Sequence, residues 1–200
     1  MTAMTTRFWW VRHAPVAWAG VRIYGRTDVD CDVSDGGAFA SLAARLPHGA
    51  VVVRSHLDRT RRTAQAVAAA GYALPAPVIE ADLAEQGFGN WEGDTWDDLF
   101  ARNDPHLATF WQDPFRVAPP GGESFLDVAA RVSTVITRLA TDHPGRDIVA
   151  FAHAGTIRAA LMLALDLTPD KANAIVIDPL SLTRMEITDG MWAVRTVNGL

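Results

Sequence analysis

The stretch Phe8-Trp9-Trp10-Val11-Arg12-His13 is a short β-type apolar run that ends in an arginine–histidine pair. Far downstream, Ile148-Val149-Ala150-Phe151-Ala152-His153 follows the same plan. Each run gives way to small or turn-forming residues, Ala14-Pro15 in one case and Ala154-Gly155 in the other. A histidine delivered by a buried strand to the carboxyl edge of a sheet stands where α/β proteins place ligands and chemistry. Two such histidines, one preceded by arginine, point to a site for an anion.

Around these runs, residues 7–12, 50–54, 147–152 and 181–187 read as strands, rich in β-branched and aromatic side chains. A weaker strand lies at 77–80, and Met191 to Val197 pairs with 181–187 as a hairpin across Thr188-Asp189-Gly190. Continuous apolarity in the first three implies burial on both faces, as in a mostly parallel sheet. Helices fall between them. From about Ser124 to Ala140, Phe125, Val128, Ala129, Val132, Val135, Ile136 and Leu139 trace one apolar stripe. Ser124 with Asp127 resembles a capping box, and His143-Pro144-Gly145 ends the helix. Gly37 to Leu46, Leu57 to Ala70 and Gly155 to Leu165 complete the set. Alternation of strand and helix predicts an α/β fold, a three-layer α/β/α sandwich with a mostly parallel central sheet.

Half of the 200 residues are apolar (49%), enough for one sizeable core, and the length favours a single domain over residues 1–200. The formal charge of -5 argues against nucleic acid or an anionic membrane as partner. A small anionic substrate remains compatible, because a local cluster of arginines opposes the global sign. The lone Cys31 cannot form an intrachain disulfide, which fits a reducing compartment. Met1 to Thr6 is polar, the Phe8 to Val11 run is too short for a signal peptide, and no apolar stretch approaches the ~20 residues of a membrane helix. The expectation is a cytoplasmic protein.

Residues 86–122 differ in character. Trp91, Trp96, Trp111, Phe88, Phe100, Phe110 and Phe115 are scattered among Gly, Asp and Pro, and the segment closes on Pro119-Pro120-Gly121-Gly122. It reads as a helical excursion over the sheet edge, its rings either walling a pocket or anchoring a small local core.

Singly, His13 and His153 are ordinary strand-end histidines. Arg59 adds weight: it follows strand 50–54 and Ser55-His56-Leu57-Asp58, in the first turn of the next helix. A cation there opposes the helix dipole unless an anion lies nearby. Arg61 and Arg62 read instead as a solvated basic face. His153 opens onto a helix starting near Gly155-Thr156, whose free N–H groups suit an oxyanion. A neutral imidazole attacks phosphorus well. Arg12, Arg59 and a protonated His153 would neutralise the phosphoryl oxygens. The leaving oxygen then needs an acid. Glu85 leads, because the loop Gln86-Gly87-Phe88-Gly89 is able to desolvate its carboxyl and raise its pKa; Glu80, Asp82 and Glu92 are rivals on composition.

Taken together, these segments resemble the histidine phosphatase superfamily, the phosphoglycerate mutase-like enzymes. Arg12-His13 is similar to the family's N-terminal signature, and Tyr24-Gly25-Arg26-Thr27-Asp28 with Ser34-Asp35-Gly36-Gly37 to the segment that follows it. Ser55-x-Leu57-x-Arg59 with Thr63-Ala64 resembles the second-arginine motif. Leu83-x-Glu85 with Phe88-Gly89-x-Trp91-Glu92-Gly93 resembles the acid loop, which selects Glu85 over its rivals. Pro120-Gly121-Gly122-Glu123-Ser124 and His153-x-Gly155-x-Ile157-Arg158 complete the order, from about residue 7 to 160. The resemblance implies a phosphoglycerate mutase-like fold, His13 as nucleophile and Glu85 as acid. Arg12, Arg59 and His153 would hold phosphate, with Tyr24 and Arg26 as candidate substrate contacts, and no metal or cofactor is implied.

Departures are visible. Ala14 and Ala154 replace glycines, Pro15 and Ala19 stand where mutases carry a glutamate and an asparagine, and Tyr24 replaces a phosphate-contacting threonine. Mutases also carry a longer Lys/Arg-rich insertion, whereas residues 86–122 hold only Arg102 and Arg116. The expected activity is therefore hydrolysis of a small phosphomonoester through a phosphohistidine, on α-ribazole 5'-phosphate or by a broad-specificity enzyme. Mutase-type transfer and a catalytically silent phospho-binding protein are the alternatives. A metallohydrolase is disfavoured by the absence of His-Glu-x-x-His spacing or a cysteine pair. Exposed tryptophans would suit a homodimer contact.

Overall fold

A computed structural model describes residues 4–18 and 22–199. Six strands, β1 (Thr5–Arg12), β2 (Val51–Arg54), β3 (Val78–Ile79), β4 (Asp147–Ala152), β5 (Leu182–Thr188) and β6 (Met191–Gly199), form one sheet in the order β3-β2-β4-β1-β5-β6. The pairs β2–β3, β2–β4 and β1–β4 are parallel; β1–β5 and the β5–β6 hairpin are antiparallel. The sheet is mostly parallel, as its apolar strands predict. Helices α1 (Gly36–Arg45), α2 (Asp58–Ala69), α5 (Phe125–Asp142) and α6 (Ala154–Leu165) surround it. None of the described helices is long and apolar enough to cross a membrane.

Strand periodicity sorts the core onto two faces. Along β4, Ile148, Ala150 and Ala152 join Phe8 and Trp10 in packing against α5 and α6. Val149 and Phe151 join Val11 and Val52 under Phe39 and Leu42 of α1 and Ala64 and Val67 of α2. All seven stripe residues of α5 are buried, each fully buried large side chain contributing about 1.5–3 kcal/mol. Its capping box is formed: Ser124 Oγ accepts from the Asp127 N–H at 3.2 Å, and Asp127 Oδ2 accepts from the Ser124 N–H at 2.9 Å.

The aromatic excursion carries α3 (Trp96–Ala101) and α4 (Leu107–Gln112). Ile23, Trp91, Leu99, Leu107 and Phe110 make a separate small core, with the Trp91 and Phe110 rings edge-to-face at 5.1 Å. Phe100 and Trp111 are exposed, and Phe115 turns towards Phe125 of α5. One helix has no counterpart in the sequence reading, α7 (Pro169–Asn173); a proline in its first turn was the available signal. The helix after His153 starts at Ala154, one residue earlier than expected.

Candidate active site

Parallel pairing aligns the carboxyl ends of three strands. Arg12 is opposite Ala152 and Arg54 opposite Phe151, so the next residues, His13, His153 and Ser55, emerge together at one edge. His13 is buried, and its Nδ1 lies 2.7 Å from the Ala14 carbonyl oxygen. A carbonyl only accepts, so Nδ1 carries the proton and Nε2 keeps its lone pair. That Nε2 is buried without a hydrogen-bond partner among the described residues. Burial first, then the Arg59 charge, pushes the His13 pKa down to about 3. The ring is a neutral base whose Nε2 lone pair is buried and unpartnered among the described residues.

The His153 ring is centred 5.2 Å from that of His13. Arg59 Nε donates to its Nδ1 at 3.3 Å, and Ser55 Oγ lies 2.7 Å from its Nε2. An occupied acceptor at Nδ1 places the proton on Nε2, which donates to Ser55. The Ser55 hydroxyl then faces Thr60 Oγ1 at 3.2 Å, and Thr60 in turn donates to the Leu57 carbonyl at 2.8 Å. Burial, Arg59 and His13 hold the His153 pKa well below the ordinary histidine value. Complete burial beside an arginine favours the neutral ring, where the sequence reading expected a protonated one on phosphate.

Arg59 is fully buried in the first turn of α2. Its guanidinium donates to the Gly25 carbonyl at 2.7 Å and the Thr27 carbonyl at 3.0 Å, and lies 5.1 Å from the centre of the Tyr24 ring. Arg12 donates from Nη1 to the Ile177 carbonyl and keeps Nε unpartnered among the described residues. Arg61 and Arg62 pair with Asp58 and Asp30 near the surface, as a solvated face should.

Geometry separates the four carboxylates. Glu85 Oε1 accepts from the N–H groups of Gln86 at 3.0 Å and Gly155 at 3.1 Å, which sets the side chain beside His153. Glu92 spends both oxygens on other loops, accepting from the N–H groups of Arg26, Thr27 and Phe88 and from the Thr27 hydroxyl. Glu80 pairs with Arg138 at 2.6 Å, and Asp82 is exposed.

Glu123 and Arg131, without an assigned role in the sequence, hold the acid loop together with Arg26. Glu123 Oε1 accepts from Arg26 at 2.7 Å, Arg131 at 2.8 Å and the Gly87 N–H at 3.0 Å. Arg26 Nε and Arg131 Nη2 both donate to the Glu85 carbonyl, each at 3.2 Å. Arg26 is thereby engaged in the loop's support, whereas Tyr24 faces His13 with ring centres 6.4 Å apart. The Pro-Gly-Gly-Glu segment pointed to Glu123 and the Ser55-x-Leu57-x-Arg59 motif contained Ser55, though not its contact with His153; no local signal marked Arg131, which lies within the amphipathic α5. Ala14 and Ala154, in place of glycines, both avoid positive φ, so their Cβ atoms bring no left-handed strain. Ala19 lies outside the described residues.

Residues 8–199 match the family model described as histidine phosphatase superfamily, branch 1. The chain belongs to this superfamily. A bifunctional protein of Mycobacterium tuberculosis is 38% identical over 163 residues, 81% of this chain. The chain spans only 44% of that relative's length. A glucosyl-3-phosphoglycerate phosphatase of Mycolicibacterium vanbaalenii is 34% identical over 175 residues, 80% of this chain and 74% of the relative. The crystal structure of α-ribazole phosphatase from Shigella flexneri superposes with a TM-score of 0.84 over 96% of each chain, at 22% identity. That last likeness shows the fold, which is phosphoglycerate mutase-like.

Proposed function

We propose that the protein is a metal-independent phosphomonoesterase that works through a phosphohistidine at His13. One observation carries this reading: a buried imidazole whose Nδ1 proton is committed to the Ala14 carbonyl and whose Nε2 lone pair is unpartnered among the described residues. Nε2 attacks phosphorus, the P–O bond to the leaving alcohol breaks, and Glu85 in its acid form gives that oxygen its proton. Water then attacks the phosphorus of the N–P bond, Glu85 takes back a proton, and phosphate leaves with His13 restored.

Arg12 and Arg59 supply the positive charge for the phosphoryl oxygens. An arriving dianion opposes the burial and the Arg59 charge that keep His153 neutral; a proton taken up at Nδ1 would replace the hydrogen bond from Arg59 Nε and leave both groups as donors. Hydrolysis is favoured over mutase-type transfer because Arg102 and Arg116 are both paired with aspartates, at 2.7 Å from Asp94 and 3.0 Å from Asp113. The substrates named among similar proteins, glucosyl-3-phosphoglycerate and α-ribazole phosphate, are the first candidates for a screen.

The test is direct. Rapid quenching of turnover with phosphorus-labelled substrate should trap an adduct that is labile to acid and stable to base, and His13→Ala should abolish it. An acid-stable adduct would implicate a serine or aspartate and overturn the proposal.

A further inference from the structure

Beside Glu85 lies a cavity of about 240 Å³ whose walls are largely carbon. Ile23, Tyr24, Phe88 and Trp96 line it together with Glu85 and Arg22. Arg22 donates to the Gly93 carbonyl at 2.5 Å, which holds part of its guanidinium. Tyr24 is the partition. It carries the Arg59 guanidinium 5.1 Å from its ring centre and presents its ring edge-on to His13. Tyr24 and Glu85 thus border both the catalytic histidines and this cavity, so an alcohol expelled when Nε2 attacks phosphorus and protonated by Glu85 has the cavity beside it.

The two outer rings are set by the small aromatic core and not by the sheet. Phe88 and Trp96 meet edge-to-face at 6.3 Å, and Trp96 is also stacked on Phe110 with ring centres 5.9 Å apart. Thr95 and Asp98 cap the short helix that carries Trp96, fixing where the indole stands. An apolar cavity of ~150 Å³ accepts a benzene molecule; this one has room for a larger flat ring. A polyhydroxylated leaving group would desolvate there against mostly apolar walls, with Arg22 the only cation among the described lining residues.

We propose that this cavity is the leaving-group subsite and that the substrates are phosphomonoesters of ring-bearing alcohols, with Tyr24, Phe88 and Trp96 as specificity-determining residues. The proposal rests on the hydrolytic reading of His13 and Glu85 given above. It places an aromatic ring of the substrate between Tyr24 and the Phe88–Trp96 pair, with the ester oxygen at the Glu85 carboxyl.

The experiment compares 2-phenylethyl phosphate, propyl phosphate and 3-phosphoglycerate. The first two release primary alkoxides of similar basicity, so a difference in kcat/KM reports binding of the ring. Aromatic pairing beyond simple burial predicts a preference of about tenfold or more for the phenylethyl ester. Trp96→Ala should bring the ratio of the two kcat/KM values towards one, and Trp96→Phe should keep most of it. A wild-type ratio near one with good turnover, or preference for 3-phosphoglycerate, overturns the subsite while leaving the hydrolytic reading intact. Equal proportional losses on both esters in Trp96→Ala overturn the assignment of that residue. Hydrolysis of none of the three by folded protein overturns the ring-bearing substrate class, while the hydrolytic reading is decided separately by the acid-labile adduct on His13.

Discussion

Gly155 and Glu85 occupy each other's space. The Gly155 N–H is 3.1 Å from Glu85 Oε1, and a Cβ at position 155 would stand 2.3 Å from the same oxygen. Gly155 has no positive φ and lies within a helix, where alanine is the better former by about 1 kcal/mol. The glycine is there for room. Gly155→Ala should displace the carboxyl and lower kcat on an alkyl phosphate roughly 10²-fold, as a misplacement of about 1 Å can. In a Glu85→Gln background the same change should cost little more, since both act on one group. Additive losses in the double variant would show that Gly155 acts elsewhere.

Acid and clamp are separable by leaving group. If Glu85 protonates the departing oxygen, Glu85→Gln should cost about 10²–10⁴-fold on an alkyl ester and far less on p-nitrophenyl phosphate, whose phenolate leaves unaided. Arg59→Ala removes charge from the non-bridging oxygens, which both esters share, so its two penalties should match. Equal penalties from Glu85→Gln on both esters would rule it out as the leaving-group acid.

Stability should fall in mild acid. Native His13 stays neutral down to a pKa of about 3, whereas an unfolded histidine takes its proton near 6.5. Between those values the unfolded chain binds more protons, so unfolding becomes easier as pH drops, by about 1.4 kcal/mol per unit for one such group. His153, shifted in the same direction, steepens the loss. Urea denaturation at pH 7.5 and 5 should show it, with a shallower pH dependence in His13→Asn. An unchanged slope in that variant would mean the ring is not held neutral.

Hydrolysis of an aryl phosphate should survive exhaustive treatment with EDTA, because the proposed charge partners of the phosphoryl group are arginines and histidines. Loss of activity that zinc or magnesium restores would require a different mechanism.

The fold was legible where burial leaves a one-dimensional trace. Val51 to Val53 and Ile148 to Ala152 are apolar without interruption because helices cover both faces, and the α5 stripe repeats at helical spacing because one side meets the sheet. His13, Arg59 and His153 were legible for a related reason: each directly follows a strand or opens the helix after one. What escaped depends on side chains that meet only in three dimensions. Arg131 reaches the Glu85 carbonyl from a different element, and Ser55 finds the His153 imidazole across paired strands. The lowered His153 pKa was not legible either, since desolvation is a property of the packed interior and not of neighbouring letters.

The fourth strand of the chain lies between the first and the second in space, and β1 forms no pair with β2. During synthesis, β1 and β2 emerge without the strand that joins them, and each keeps an unpaired edge until residues 147–152 arrive. Such a topology folds late and through distant contacts. On a nascent chain the His13 imidazole is therefore surrounded by water, with ordinary basicity and no fixed orientation. The burial and the fixed tautomer of His13 are created in the same event that inserts β4, so chains ending before that strand carry the histidine without its environment.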